Sequence, residues 1–124
     1  MTRRMVKGFI DEHGNPLIEV EVGGRKETTN VLTLVDSGFD GELCLPIEVA
    51  IPLGLELSGI QTIELADGSV KRELVFVGSV RWEGRPRSVR ISLTTSEKAI
   101  IGRELVLNRK LIIDFRSGEV KIER

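Results

Sequence analysis

The chain has 124 residues, of which 40% are hydrophobic and 30% charged, a balance typical of one soluble globular domain covering residues 1–124. Eighteen basic and nineteen acidic side chains leave a formal net charge of −1, which argues against general nucleic-acid binding and against adhesion to an anionic membrane. One cysteine and one histidine exclude a disulfide framework and most catalytic sites that need two of either residue, and they argue against a metal site.

The sequence also indicates the cellular compartment in which the protein resides. No apolar run approaches the roughly 20 residues that a membrane-spanning helix needs. Residues 1–8 carry Arg3, Arg4 and Lys7 but no long apolar core, which argues against a secretory signal peptide. We therefore expect a cytoplasmic protein without a membrane partner.

Alternation of hydrophobic and polar residues predicts strands through most of the chain. In residues 17–22, for example, Ile18, Val20 and Val22 share one face while Glu19 and Glu21 share the other. Turn sequences rich in Gly, Asn, Asp and Pro separate these segments at short intervals. The predicted strands lie near residues 5–11, 17–23, 28–35, 42–45, 60–66, 69–82, 87–93, 111–115 and 119–123.

Two segments depart from this alternation and are predicted to be short helices. Residues 46–53 begin with Pro46 in the first turn and are followed by Gly54. Residues 103–108 follow directly after Gly102. Together with the strands, they predict an all-β domain, a mostly antiparallel barrel or sandwich with one or two helices.

The sequence around Asp36 is the first candidate for chemistry. An apolar strand leads directly into Asp36, Ser37 and Gly38, and burying a carboxylate there is costly unless hydrogen bonds or charges compensate. Gly38 allows a sharp turn that brings a backbone N–H close to the carboxylate. Asp-Ser-Gly is also a common turn, so this tripeptide alone leaves both interpretations open.

A second motif, Ala-Ile-Ile-Gly-Arg-Glu-Leu at residues 99–105, joins an apolar strand to the predicted helix. In this order the two motifs resemble the retroviral-type (retropepsin-like) aspartic proteases, and residues 35–46 most closely resemble small prokaryotic predicted aspartyl proteases of clan AA. The resemblance covers residues 15–123. It implies a single-lobe closed barrel with Asp36 as the catalytic aspartate, Ser37 and Gly38 in the active-site loop, and no metal or cofactor.

The same resemblance implies a dimer. Aspartic proteolysis uses two carboxyl groups that share one proton to activate a water molecule. The chain contains one Asp-Ser-Gly motif, so the second carboxylate is expected from Asp36 of a second copy related by a two-fold axis. The expected activity is hydrolysis of an extended peptide or protein substrate by this homodimer. The alternative is a catalytically silent peptide-binding or dimerisation module of the same fold.

The resemblance also assigns a flap over the substrate groove. Its tip is the hairpin turn formed by Ala66, Asp67, Gly68 and Ser69, and Asp-Gly is independently a strong hairpin signal. Phe39 stands beside the groove where many family members have alanine. It either narrows a substrate pocket or belongs to the core.

Two further features each have two possible interpretations. The resemblance implies an ion pair between Asp40 and Arg103 that joins the loop to the following helix, whereas the alternative is two solvated surface charges. Residues 81–90 form a basic segment with one tryptophan, which is either a nucleic-acid or acidic-partner contact or a solvated hairpin. The near-neutral net charge favours the solvated hairpin.

Overall fold

A computed structural model describes residues 5–124. Arg3 and Arg4, which bear on the signal-peptide argument, lie outside the described residues. The ten strands, in chain order, are β1 (Met5–Ile10), β2 (Pro16–Gly23), β3 (Thr28–Val35), β4 (Leu43–Pro46), β5 (Glu56–Glu64), β6 (Val70–Trp82), β7 (Arg85–Thr94), β8 (Ala99–Ile101), β9 (Lys110–Asp114) and β10 (Glu119–Glu123).

Two short helices interrupt the strands near the predicted positions. Helix α1 (Ile47–Ala50) continues into a single 3-10 turn, Ile51–Leu53, and α2 covers Arg103–Val106. The first helix stays short because Pro52 has no N–H to donate and because Gly54, at φ +72°, ends the turn in the left-handed region. Within residues 5–124, no helix is long and apolar enough to cross a bilayer.

Six of the strands close into a barrel. The sheet has the order β5-β6-β7-β4-β8-β3-β2-β1-β10-β9, and β2 also pairs with β6 through Val22–Val80 and Gly23–Ser79. This second pairing joins β6, β7, β4, β8, β3 and β2 into a ring. The predicted all-β closed barrel with two short helices is thus confirmed, and the sandwich alternative is not what forms.

The alternation read from the sequence decides which side chains fill the core. On β2, Ile18, Val20 and Val22 are buried while Glu19 and Glu21 are exposed. The buried residues of β2 belong to one continuous hydrophobic cluster with residues of most other strands and of α2. This packing fixes the position of β3, the strand that leads into Asp36.

Strand β5 differs from its predicted extent. It begins at Glu56 rather than near residue 60, and its pairing with β6 shifts between Leu57 and Gly59. The shift is a β-bulge, which inserts one unpaired residue and breaks the alternation of faces. Periodicity therefore could not detect the first part of this strand.

Candidate active site

Asp36 lies where β3 ends, next to the second sequence motif. Strand β3 runs parallel to β8, and the register places Val35 opposite Ile101. The backbone N–H of Asp36 donates to the carbonyl oxygen of Ile101 at 3.0 Å. The two motifs, far apart in the sequence, are therefore neighbours in the fold.

The loop after β3 orients the Asp36 side chain through its own backbone. The N–H of Gly38 donates to Asp36 Oδ1 at 2.9 Å, and the N–H of Phe39 donates to the Asp36 carbonyl oxygen at 3.1 Å. Asp36 is half-buried, whereas Ser37 and Gly38 are exposed. One carboxylate oxygen is thus held in place while the loop remains accessible from outside.

The start of α2 supports this loop from behind. Three successive backbone N–H groups donate to three carbonyl oxygens of the loop. The pairs are Gly102 to Glu42 (3.0 Å), Arg103 to Phe39 (2.8 Å) and Glu104 to Gly41 (3.2 Å). The second motif therefore fixes the conformation of the first through main-chain atoms.

The ion pair between Asp40 and Arg103 that the resemblance implies does not form in the described single chain. Both side chains are exposed, and the ion pairs within 4.0 Å among residues 5–124 include neither of them. Two solvated charges gain little free energy by pairing. The solvated-charge alternative describes these residues.

A cleft of about 300 Å³ lies beside the loop. Its lining includes Phe39 and Asp40 of the loop, Ile63 of β5, Val75 of β6 and Arg90 of β7. The hairpin of β5 and β6 thus contributes both of its strands to the cleft. Neither the four residues of its tip nor residues 36–38 line the cleft in the described single chain.

The hairpin tip has the turn that Asp-Gly predicts. The N–H of Gly68 donates to the Leu65 carbonyl oxygen at 2.9 Å, and the N–H of Leu65 donates to the Ser69 carbonyl oxygen at 2.8 Å. Gly68 has φ +85°, a conformation that favours glycine. The Ser69 hydroxyl (2.6 Å), and after it the Ser69 N–H (2.9 Å), donate to Asp67 and lower the pKa of its carboxyl. All four residues of the tip, 66–69, are exposed. The role of the tip as a flap stays a prediction.

Glu42 is a residue of this region that the sequence interpretation missed. Its side chain is 16% exposed, and it accepts hydrogen bonds from the backbone N–H of Arg90 (2.8 Å) and from Arg87 Nη2 (3.1 Å). These hydrogen bonds connect the loop to β7. Arg87, one arginine of the basic segment at residues 81–90, therefore contacts another part of the same chain. A lone glutamate at the start of the apolar strand predicted at residues 42–45 was the only signal in the sequence.

Cys44 follows in β4 and is half-buried. Burial is the main cause that raises the pKa of the Cys44 thiol. A hydrogen bond with Ser92 lowers this pKa, and the negative charge of Glu73 raises it further. A thiol with a raised pKa is mostly protonated at neutral pH and is a poor nucleophile. Within residues 5–124, no group of three or more His, Cys, Asp or Glu side chains could hold a metal ion.

No protein family model and no curated protein matches the chain. Solved structures do match it. A retropepsin-like aspartic protease from Rickettsia conorii aligns with a TM-score of 0.67 and 16% identity over 95% of this chain and 89% of that one. The chain has a retropepsin-like fold.

Two viral proteins have the same retropepsin-like fold. The protease of Simian Foamy Virus (mac) aligns with a TM-score of 0.52 and 18% identity, over 73% of this chain and 90% of that one. The EIAV protease in complex with the inhibitor HBY-793 aligns with a TM-score of 0.56 and 17% identity, over 77% and 88%. The resemblance drawn from the two motifs is confirmed for the fold.

Proposed function

We propose that the chain is an aspartic endopeptidase that acts as a homodimer, with Asp36 of each copy forming one catalytic pair. The observation that carries this proposal is the position of Asp36. Asp36 directly follows β3 in a retropepsin-like fold, and its carboxylate accepts a hydrogen bond from the N–H of Gly38. The loop that contains both residues is supported by a hydrogen bond from the N–H of Gly102. The chain has one such loop, so a two-carboxylate site needs a second copy.

In the proposed reaction the two carboxyl groups lie about 3 Å apart and share one proton. The ionised carboxylate takes a proton from a water molecule, whose oxygen adds to the carbonyl carbon of the peptide. The protonated carboxyl donates a hydrogen bond to the carbonyl oxygen as negative charge develops there. The C–N bond then breaks, the nitrogen takes up the proton that the carboxylate had removed from the water molecule, and the products are a carboxylic acid and an amine. No cofactor takes part.

The substrate would lie extended beside the Asp36 loop. Ser37 would brace the pair of loops across the two-fold axis, and backbone groups near Gly38 would bind the substrate main chain. The hairpin with its tip at residues 66–69 would close over the peptide. An extended peptide can hydrogen-bond to such main-chain groups as an added strand.

The proposal is tested by replacing Asp36 with asparagine, which removes the ionisable carboxyl but keeps the size of the side chain. Cleavage of an unfolded polypeptide, followed by mass spectrometry between pH 3 and 7, is expected to fall by about 10² to 10⁴-fold. Asp11→Asn is the matched control, because Asp11 lies in an ordinary turn where it accepts hydrogen bonds from His13 and Asn15. A statine-like transition-state mimic should inhibit the wild type.

Three results would count against this function. Cleavage that survives Asp36→Asn, or that ignores the statine-like mimic, would overturn it. If peptides bind to a dimer that cleaves none of them, the alternative of a catalytically silent peptide-binding module is correct.

A further inference from the structure

We propose that the aromatic ring of Phe39 sets both the conformation of the Asp36 loop and the size of the apolar substrate side chain that the neighbouring cleft admits. This inference rests on the proposed function and makes Phe39 a specificity-determining and positioning residue. It concerns the one loop residue whose sequence interpretation left two alternatives, a substrate pocket or the core.

The ring of Phe39 is held between two glycines. A Cβ atom added to Gly41 would lie 2.6 Å from Cζ and 2.9 Å from Cε1 of the ring. A Cβ atom added to Gly102 would lie 2.5 Å from Cδ2 of the same ring. The ring therefore fills the space that side chains at both positions would need, and the two glycines leave that space to it.

Phe39 is also part of the cleft that lies beside the loop. Phe39 is half-buried and lines the cleft together with Ile63 and Val75. These three residues form an apolar patch in a lining that also includes Asp40, Glu42, Gln61, Arg90, Ser92 and Glu104. Within such a mixed lining, an apolar ligand group would be buried against the apolar patch, and the polar groups would fix its orientation. A change in the size or angle of the ring therefore changes the space for a substrate side chain.

The backbone of Phe39 connects the same residue to Asp36. Its N–H donates to the Asp36 carbonyl oxygen at 3.1 Å, and its carbonyl oxygen accepts the N–H of Arg103 at 2.8 Å. A displaced ring pulls on a residue whose two backbone groups hold the catalytic loop. In this chain the ring and these hydrogen bonds do what an ion pair between Asp40 and Arg103 was expected to do.

The two glycines differ in a way that permits a sharp test. At Gly102 an added Cβ would also lie 2.2 Å from the carbonyl oxygen of Gly41, so main-chain atoms would clash. At Gly41 the nearest atoms all belong to the Phe39 ring. The clash of Gly41→Ala should therefore disappear when the ring is replaced by a smaller side chain.

The experiment compares the wild-type protein with Phe39→Leu, Gly41→Ala and the double variant. Thermal unfolding, kcat and KM are measured, and the cleavage sites in a peptide library are sequenced. Gly41→Ala should lower kcat/KM by roughly tenfold, and adding Phe39→Leu should recover most of this loss, a coupling within the range for residues in contact. Phe39→Leu alone should move the preferred cleavage sites toward larger apolar side chains. Phe115→Leu, at a ring that is 68% exposed, is the matched control and should change none of these.

Several results would overturn the inference. Additive losses in the double variant would show that the ring is not what excludes a side chain at Gly41. A fall in thermal stability with unchanged cleavage sites and unchanged kcat and KM would reduce Phe39 to a structural residue. Both results refute the role of Phe39 while Asp36-dependent cleavage, and with it the proposed function, still stands.

If no variant cleaves, the proposed function fails, and peptide binding still decides the role of Phe39. Peptides that differ in one side chain, alanine, leucine or tryptophan, are titrated into Asp36→Asn with and without Phe39→Leu. The tighter ligand should shift from the smaller to the larger side chain when Phe39 is shortened. An unchanged order of affinities, or no binding, would overturn the inference.

Discussion

At the scale of single residues, Gly102 is required because of close approach rather than because of its backbone dihedral angles. Its φ is −100°, which any residue can adopt. An added Cβ would nevertheless lie 2.2 Å from the carbonyl oxygen of Gly41 and 2.7 Å from that of Phe39. These are main-chain atoms of the Asp36 loop, and they can move away only if the loop itself shifts.

We therefore predict that Gly102→Ala destabilises the protein by about 1–3 kcal/mol or more, the usual cost of overpacking a closely packed site. Gly59→Ala is the matched control, because no atom lies within 4 Å of its added Cβ. The control should leave the stability within about 0.5 kcal/mol of the wild type. Urea unfolding of the three proteins measures both values, and equal effects at the two glycines would contradict the packing argument.

The same residues show how far the site could be predicted from sequence. Asp36, Gly38 and Gly102 stand in motifs whose order predicts their proximity, and the structure brings them together. The sequence left two alternatives for Phe39 and gave no role to Glu42, because their partners come from other elements that only the tertiary fold brings near. The pairing of Asp40 with Arg103 does not form in the described chain, because motif spacing alone does not fix where two exposed side chains lie.

At the scale of elements, a largely buried ion pair connects the turn between β6 and β7 to the start of β9. Glu83 Oε1 accepts hydrogen bonds from Arg109 Nη2 (2.6 Å) and Nε (3.0 Å), and the two side chains are 8% and 15% exposed. Arg109 Nη1 also donates to the carbonyl oxygen of Leu107 at 2.9 Å. The hydrogen bonds from Arg109, more than any other contribution, hold the pKa of Glu83 below its ordinary value.

Breaking this pair should be costly. We predict that Arg109→Met destabilises the protein by about 3 kcal/mol at pH 7, because it leaves a buried carboxylate without its main partner. Arg25→Met, which breaks the exposed pair of Arg25 with Glu56, is the matched control and should cost less than about 1 kcal/mol. Urea unfolding gives both free energies, and similar losses would mean that burial of the Glu83 pair contributes nothing.

The pH dependence of this effect has a definite sign. Because the folded protein lowers the pKa of Glu83, the stabilisation is fully present above the unfolded value near 4.5 and is lost as the pH falls through the lowered folded value. The difference in unfolding free energy between the wild type and Arg109→Met should therefore be smaller at pH 3 than at pH 7. A difference that does not decrease in acid would contradict the assigned role of Glu83.

Elements were predictable where one physical preference dominates. Strand β2 and the hairpin turn at Asp67 and Gly68 were predictable, because each depends on neighbouring residues alone. The start of β5 was not predictable, because the bulge between Leu57 and Gly59 interrupts the alternation of hydrophobic and polar residues. The closure of the barrel through β2 and β6 depends on residues far apart in the sequence, so composition and spacing left barrel and sandwich open.

At the scale of the whole molecule, the proposed activity depends on two copies, and this can be separated from the chemistry of either one. We predict that adding inactive Asp36→Asn protein to a fixed amount of wild type lowers the activity, because exchange of subunits produces mixed dimers with only one ionisable Asp36. Cleavage rates at increasing variant concentrations measure the effect. Addition of the Asp11→Asn control, which keeps Asp36, should not lower the activity.

Measurements of molecular size over a range of concentrations should show a dimer whose population follows the cleavage activity. Full activity in a strictly monomeric protein would contradict a site shared between two copies. A dimer whose activity is unaffected by the Asp36→Asn protein, after time for exchange, would contradict it as well.

The parallel pairing of β3 with β8 has a consequence for when the site can form during protein synthesis. Asp36 emerges from the ribosome early, but the partner of its N–H is Ile101, and the loop is supported by N–H groups that follow it. Contacts between such distant parts of a chain form late in folding, because the intervening segment must first be ordered. A nascent chain thus carries Asp36 without the support that shapes the loop until residue 104 has been added, and only then can the loop acquire its geometry.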